Sequence, residues 1–180
     1  KHGGQSIAAT IYVDATGDAD VAYMAGVPCE KGRESDRLTQ PMTLNFRMAG
    51  VDLLRLPPRE KINELYTSAR EQGRINCPRE NVLFFHTTRD GEIHFNTTRV
   101  VREDGTDAAS LTRAEIEARR QVWQIVDFLK KDVPGFENAF LQMTGVQIGV
   151  RETRRIVGEY VMTVDDVLEG RKFDDCVARG

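Results

Sequence analysis

Two short segments of this 180-residue chain hold the residue types that could bind a ligand or take part in chemistry. The first runs from Val13 to Asp20 and reads Val-Asp-Ala-Thr-Gly-Asp-Ala-Asp. Glycine lets a backbone approach a ligand closely, and an acidic residue beside it can hold the hydroxyls of a ribose or ribityl chain. The segment therefore fits a nucleotide-binding turn. An ordinary turn between a strand and a helix is the equally supported alternative.

A calcium loop is a third interpretation of this segment, because Asp14, Asp18 and Asp20 lie close together. Its spacing fails the EF-hand pattern, which needs oxygen ligands at alternate positions and a closing glutamate. The chain also lacks a Cys-x-x-Cys motif, and its three cysteines lie far apart, which indicates reduced thiols rather than a disulfide framework or a zinc site. We therefore expect no metal site.

The second segment, from Gly149 to Tyr160, contains Arg151, Arg154 and Arg155 between apolar flanks. The guanidinium group forms a bidentate fork that suits a planar carboxylate or a phosphate. On an extended strand Arg151 and Arg155 share one face and Arg154 lies on the other. A strand whose arginines are neutralised by Glu152 and Glu159 is the alternative, and from local pattern alone it is the preferred one.

The elements around these segments indicate a mixture of strands and helices. Ser6 to Val13 is apolar at most positions and predicts a strand covered on both faces. Asp18 is then placed as the N-cap of a short helix that Gly26 and Pro28 end. Alternation predicts a half-buried strand over Met42–Met48. Further strands are predicted over two later ranges, 140–150 and 156–162.

The clearest local signal is a β-hairpin over residues 82–96. Asp90-Gly91 predicts a two-residue type I′ turn, which fixes the register and pairs His86 with Phe95. Alternation then places Phe84, His86, Ile93 and Phe95 on the core face, and His94 on the opposite face. Since the two histidines point in opposite directions, they cannot share a metal ion, and we expect His86 to be packed in the structure.

Two helices are predicted between these strands. Pro57-Pro58 begins the first, with its apolar stripe on Ile62, Leu65, Tyr66 and Ala69 and its end at Gly73. For the second, the spacing Thr-x-x-Glu predicts a capping box at Thr112 and Glu115, and Pro134 ends the helix. Its predicted buried face consists of Val122, Trp123, Ile125, Val126 and Leu129.

Composition narrows the class of protein. The chain has a mass of 20.3 kDa, 29% charged residues and a net charge of −3, with an isoelectric point near 5.7. A dedicated nucleic-acid-binding protein is usually basic, so nucleic-acid partners are disfavoured. No apolar run approaches the roughly 20 residues of a membrane helix. We expect a cytoplasmic protein that acts on a small molecule.

Taken in order along the chain, several motifs resemble the FAD-dependent oxidoreductase family of the glutathione-reductase-like flavoproteins. The resemblance spans nearly the whole chain. It is carried by Tyr12–Asp20 with Ala25–Pro28, Asn96–Arg99, Leu111–Glu117, Pro134–Asn138, Gly149–Tyr160 and Phe173–Asp175.

This resemblance implies a flavoenzyme that transfers hydride between a small-molecule substrate and FAD. It implies that Ala15, Thr16, Gly17 and Asp18 contact FAD and that Arg151, Arg154 and Arg155 hold an anionic substrate or stabilise charge on the reduced flavin. The family's Gly-x-Gly-x-x-Gly fingerprint for the ADP half of FAD is absent from these 180 residues. The chain is therefore interpreted as a fragment that is inactive alone, with FAD bound by the full-length protein.

The expected fold is α+β: an antiparallel sheet with packed helices. Residues 1–28 are interpreted as a remnant of the FAD-binding domain and residues 29–180 as an inserted substrate domain. A non-catalytic ligand-binding or oligomerisation domain is the alternative, since it accounts for the missing fingerprint without a longer parent.

Overall fold

The computed structural model describes residues 6–176 and confirms the predicted α+β class, with antiparallel sheets and packed helices. The helices in this range are α1 (Asp20–Met24), α2 (Arg59–Glu71), α3 (Ala108–Asp132) and α4 (Val164–Leu168). The strands are β1 (Cys29–Lys31), β2 (Phe46–Ala49), β3 (Phe84–His86), β4 (Ile93–Phe95), β5 (Phe140–Thr144) and β6 (Arg154–Ile156). None of the helices in residues 6–176 is both long and apolar enough to cross a membrane.

The chain divides into two compact units. The central unit is Lys31–Arg154, and the terminal unit combines Lys1–Glu30 with Arg155–Gly180. All residues of the main apolar core belong to the central unit. The functional division proposed from the sequence, a flavin-domain remnant before residue 29 and a substrate domain after it, stays a prediction.

A four-stranded antiparallel sheet forms one layer of the central unit, with strand order β3-β4-β2-β5. Alternation along each strand sends Phe46, Met48 and Phe95 into the core. Phe46 lies opposite Phe95 in the register, and their rings stack with centroids 4.8 Å apart. We call the side that bears these rings the inner face of the sheet and the other side the outer face.

Helix α2 matches its prediction closely. Pro58 occupies the N-cap, and Ile62, Tyr66 and Ala69 are buried, because residues three and four apart lie on one side of a helix. The Tyr66 ring meets Phe128 of α3 edge to face at 5.6 Å. The two helices and the inner face of the sheet therefore share one apolar core.

Helix α3 begins four residues before the predicted capping box, which was wrong. Asp107 is the N-cap, and its carboxylate accepts a hydrogen bond from the Ser110 amide. Thr112 lies inside the helix, where its hydroxyl donates to the Ala108 carbonyl. The first turns of this longer helix place Ser110 and Ala114 in buried positions.

Most of the predicted buried face of α3 is confirmed, with Val122, Ile125, Val126 and Leu129 in the core. Trp123 is the exception, since 63% of it is exposed. It lies about 100° around the helix from Val122, outside the buried stripe. The helix ends at Asp132 with Lys130 and Lys131 in its last turn.

The predicted hairpin forms, but its register is shifted by two residues. Phe85 pairs with His94 and His86 with Ile93, whereas the tight turn predicts His86 opposite Phe95. Asp90 does not have a positive φ, so the turn is not type I′. The Gly91 carbonyl instead accepts from the Val51 amide, which widens the loop. A shift of two residues keeps every side chain on its predicted face.

The predicted first strand, Ser6 to Val13, was wrong. These residues are exposed and have no regular secondary structure, because no segment within residues 6–176 supplies the neighbouring strand that a ladder needs. The strands predicted over Met42–Met48 and 140–150 are shorter than predicted, and the one predicted over 156–162 was wrong except at Ile156, because the observed strand lies earlier in the chain. Regular pairing covers Phe46–Ala49, Phe140–Thr144 and Arg154–Ile156.

Candidate functional site

The Val13–Asp20 turn is organised by the carboxylate of Asp14. Its Oδ1 accepts hydrogen bonds from the Thr16 amide at 2.8 Å and the Thr16 hydroxyl at 2.6 Å. Its Oδ2 accepts from the Ala22 amide at 2.8 Å, inside α1. The Thr16 hydroxyl in turn accepts from the Asp20 amide at 2.9 Å. Asp14 thus ties the turn to the first turn of the helix.

The prediction that Asp18 is the N-cap of α1 was wrong. Ala19 occupies that position in a left-handed conformation, and no side chain caps it. The carboxylate of Asp14, eight residues before Ala22, caps the helix instead, because it accepts a hydrogen bond from the Ala22 amide. The hydrogen bonds from the Thr16 hydroxyl and from the Ala22 and Thr16 amides keep the pKa of Asp14 below its usual value of 3.8.

Asp14→Ala is therefore expected to loosen α1. Loss of one net hydrogen bond predicts that exchange of the Ala22 amide with solvent deuterium accelerates by about fivefold or more. In the wild type the stabilisation is present above pH 3.8 and is lost as the pH falls through the lower folded-state pKa. Asp14→Asn, which keeps acceptor oxygen but no charge, should show a smaller effect. An unchanged exchange rate in Asp14→Ala would show that the turn and α1 stay together without the Asp14 carboxylate.

Between these anchored residues, the backbone of Ala15 and Gly17 is exposed and available. Their amides donate no hydrogen bond to any residue in the described range. The φ of Gly17 lies outside the left-handed region, and a Cβ built on it would meet nothing within 4 Å. The fold of residues 6–176 thus does not require glycine here, whereas close approach of a ligand would.

Of the three candidate arginines, Arg151 and Arg154 belong to the central unit and Arg155 belongs to the terminal unit. Arg154 and Arg155 belong to β6, and Arg151 precedes this strand. Arg151 and Arg155 are exposed, Arg154 is half-buried, and Thr153 between them is buried. The Glu152 carboxylate accepts a hydrogen bond from the Gln40 amide at 2.8 Å. The role of the three arginines in binding stays a prediction.

The structure also reveals a polar group that sequence reasoning did not assemble. Arg47, Glu92 and His94 come together on the outer face of the central sheet, where Arg47 Nη1 lies 3.3 Å from Glu92 Oε1. Alternation already put His94 on this face. The missing information was that β2 pairs with β4, which brings Arg47 beside it across 47 residues of sequence.

The expectation that His86 is packed is not met, because it is exposed at the end of edge strand β3. Its ring contacts Phe84 edge to face at 6.2 Å. In residues 6–176, no three His, Cys, Asp or Glu side chains are close enough together to hold a metal ion.

Comparison with known proteins places these features in a family. The model of the family described as FAD dependent oxidoreductase matches residues 1–180, the whole chain. No curated protein and no solved structure matches. Because the family match covers the full length, the chain belongs to the FAD-dependent oxidoreductase family.

Proposed function

We propose that this chain is part of an oxidoreductase that transfers hydride between a small-molecule substrate and FAD, and that Ala15–Asp18 contacts the cofactor. The observation that carries the proposal is the open backbone of this turn. Ala15 and Gly17 present unused amides, and Gly17 leaves room for a ligand atom at close range. An oxidoreductase role is already shown by the family.

Each residue of the turn has a distinct part in this proposal. The Ala15 and Gly17 amides donate hydrogen bonds to oxygen or nitrogen atoms of the cofactor, and Asp18 accepts from its hydroxyls. The Asp14 carboxylate and the Thr16 hydroxyl fix the backbone path of the turn, since they hold one another and α1. FAD, when bound, would supply the two-electron redox chemistry of the reaction.

Arg151, Arg154 and Arg155 are proposed to hold the anionic part of a substrate or to stabilise negative charge that develops during reduction. Arginine suits both functions because it stays charged and offers a planar fork of donors. Arg151 and Arg155 are both exposed at the surface.

We further propose that flavin binding needs a Gly-rich nucleotide-binding domain of the glutathione-reductase-like type, outside these 180 residues. The terminal unit supports this. Among its described residues the buried apolar side chains are only Ala19 and Ala22. Its large apolar residues are exposed, including Ile7, Ile11, Val13, Met24, Val161 and Leu168. An exposed apolar surface of this size indicates an interface with further protein.

The experiment is a titration of the 180-residue chain with FAD, followed by amide NMR. At micromolar FAD we expect no saturable binding, because the ADP half of the cofactor has no site here. At higher concentrations the first amides to shift should be Ala15 and Gly17, with Gly73 of the central unit as an unaffected control. Shifts that begin elsewhere, or none at all, would contradict the assignment of this turn.

A further inference from the structure

One row of side chains crosses all four strands on the outer face of the central sheet. The register sets Phe85 of β3 opposite His94 of β4, His94 opposite Arg47 of β2, and Arg47 opposite Met143 of β5. Side chains directly opposite one another in antiparallel strands lie in contact range. The row therefore has an imidazole and a guanidinium group in its middle and an apolar side chain at each end.

Arg47 uses only part of its hydrogen-bonding capacity within this row. Its Nη1 contacts Glu92, and no other described residue accepts from its guanidinium. The Glu92 side chain is only 4% exposed, whereas that of Arg47 is 42% exposed. The buried carboxylate therefore holds one end of a guanidinium group that is itself partly exposed. The remaining donors have the geometry to grip a carboxylate with two parallel hydrogen bonds.

His94, beside Arg47, also lacks partners. Its Nδ1 is buried without a hydrogen bond, and neither ring nitrogen contacts a polar atom in the described range. Desolvation, with Arg47 beside it, keeps the pKa of His94 below 6.5, although Glu92 opposes this. The neighbouring strand β3 contributes Phe85 and no charge. Since Nδ1 is buried, Nε2 is the ring nitrogen of His94 that is left for a ligand.

The two ends of the row are apolar and accessible. Phe85 is 49% exposed and Met143 is 50% exposed. The Phe85 ring lies 6.4 Å from the His94 ring, tilted by 40°. A ligand with a flat apolar body could rest on these side chains while its charged group meets the middle of the row.

We propose that Arg47 and His94, flanked by Phe85 and Met143, bind the carboxylate of a small organic acid with an apolar body. Glu92 is a positioning residue that orients Arg47. That this is the substrate site of the oxidoreductase rests on the proposed function, but carboxylate binding does not. An experiment can therefore contradict carboxylate binding at this row without contradicting the proposed flavin reaction.

The test is a titration of the flavin-free 180-residue chain with benzoate, followed by the NMR signals of the His94 ring. We expect saturable shifts at His94 and a rise in its pKa, because a bound anion favours the imidazolium form. Benzamide, which has the same shape but no charge, should bind at least about tenfold more weakly. A purely structural role for the row would leave the pKa of His94 unchanged.

Variants complete the test. Arg47→Gln combined with Glu92→Gln removes both charges, so that no buried carboxylate is left unpaired, and should lower benzoate affinity at least about tenfold. Arg55→Gln removes an arginine that is paired with Glu137 elsewhere in the central unit, and should bind as the wild type does. Equal binding of benzoate and benzamide, or full binding by the double variant, would overturn the proposal. If benzoate does not bind but FAD still shifts the amide signals of Ala15 and Gly17, this proposal is contradicted and the proposed function is not.

Discussion

Gly17→Val is expected to deplete FAD from the protein encoded by the complete gene without weakening the fold. No described atom lies within 4 Å of a Cβ at this position and its φ is not left-handed, so the fold leaves space for a side chain to begin there. The same side chain would occupy the space through which the cofactor approaches the backbone. We expect FAD affinity to fall by about tenfold or more, which corresponds to about 1.4 kcal/mol.

Flavin occupancy after purification measures the expected loss of FAD, and the melting temperature measures whether the fold is kept. Gly17→Ala adds less bulk and should give an intermediate loss. If Gly17→Val keeps full flavin occupancy, the turn has a structural role only. If it loses flavin and melts much earlier, the defect lies in folding, and the proposed contact gains no support.

The second large effect is expected on kcat/KM when the candidate arginines are replaced by alanine. If one of Arg151, Arg154 and Arg155 holds a substrate anion or supports charge during reduction, its alanine variant should lose about 100-fold in kcat/KM while its melting temperature changes little. If the three are surface ion pairs, each change should cost at most about 1 kcal/mol of stability and leave turnover nearly unchanged.

The positions of the arginines sharpen this comparison. Arg151 and Arg155 are both exposed, whereas Arg154 is half-buried. We therefore expect Arg151 and Arg155 to behave alike and Arg154 to differ. Arg154 as the sole essential residue would contradict this expectation. Three silent variants would remove the cluster from the proposed chemistry.

The parts of the fold that the sequence predicted well depend on neighbours along the chain. The stripe of α2 on Ile62, Tyr66 and Ala69 follows from helical spacing alone. The faces of the hairpin follow from alternation and survive a register shift of two residues. The register itself was missed, because the Gly91 carbonyl bonds to Val51, and nothing in the turn sequence reports that contact.

For the candidate site, too, the sequence predicts the features that depend on neighbours along the chain and misses those that depend on distant residues. The turn before α1 follows from local sequence and is present at Gly17 and Asp18, while its contact with a cofactor stays a prediction. The residue that organises it is Asp14, because its carboxylate reaches forward to Ala22, a contact that propensities do not encode. The row through Arg47 and His94 was not predicted, since it depends on β2 and β4 being neighbours in the sheet.

The most direct test of the central claim is the flavin content of the protein encoded by the complete gene. The protein should purify with FAD bound, released on denaturation in a ratio near one per chain. Its visible absorption should bleach when a small-molecule substrate is added without oxygen. A protein that purifies colourless and gains no absorption band from added FAD would contradict the assignment of this chain to a flavin-dependent oxidoreductase reaction.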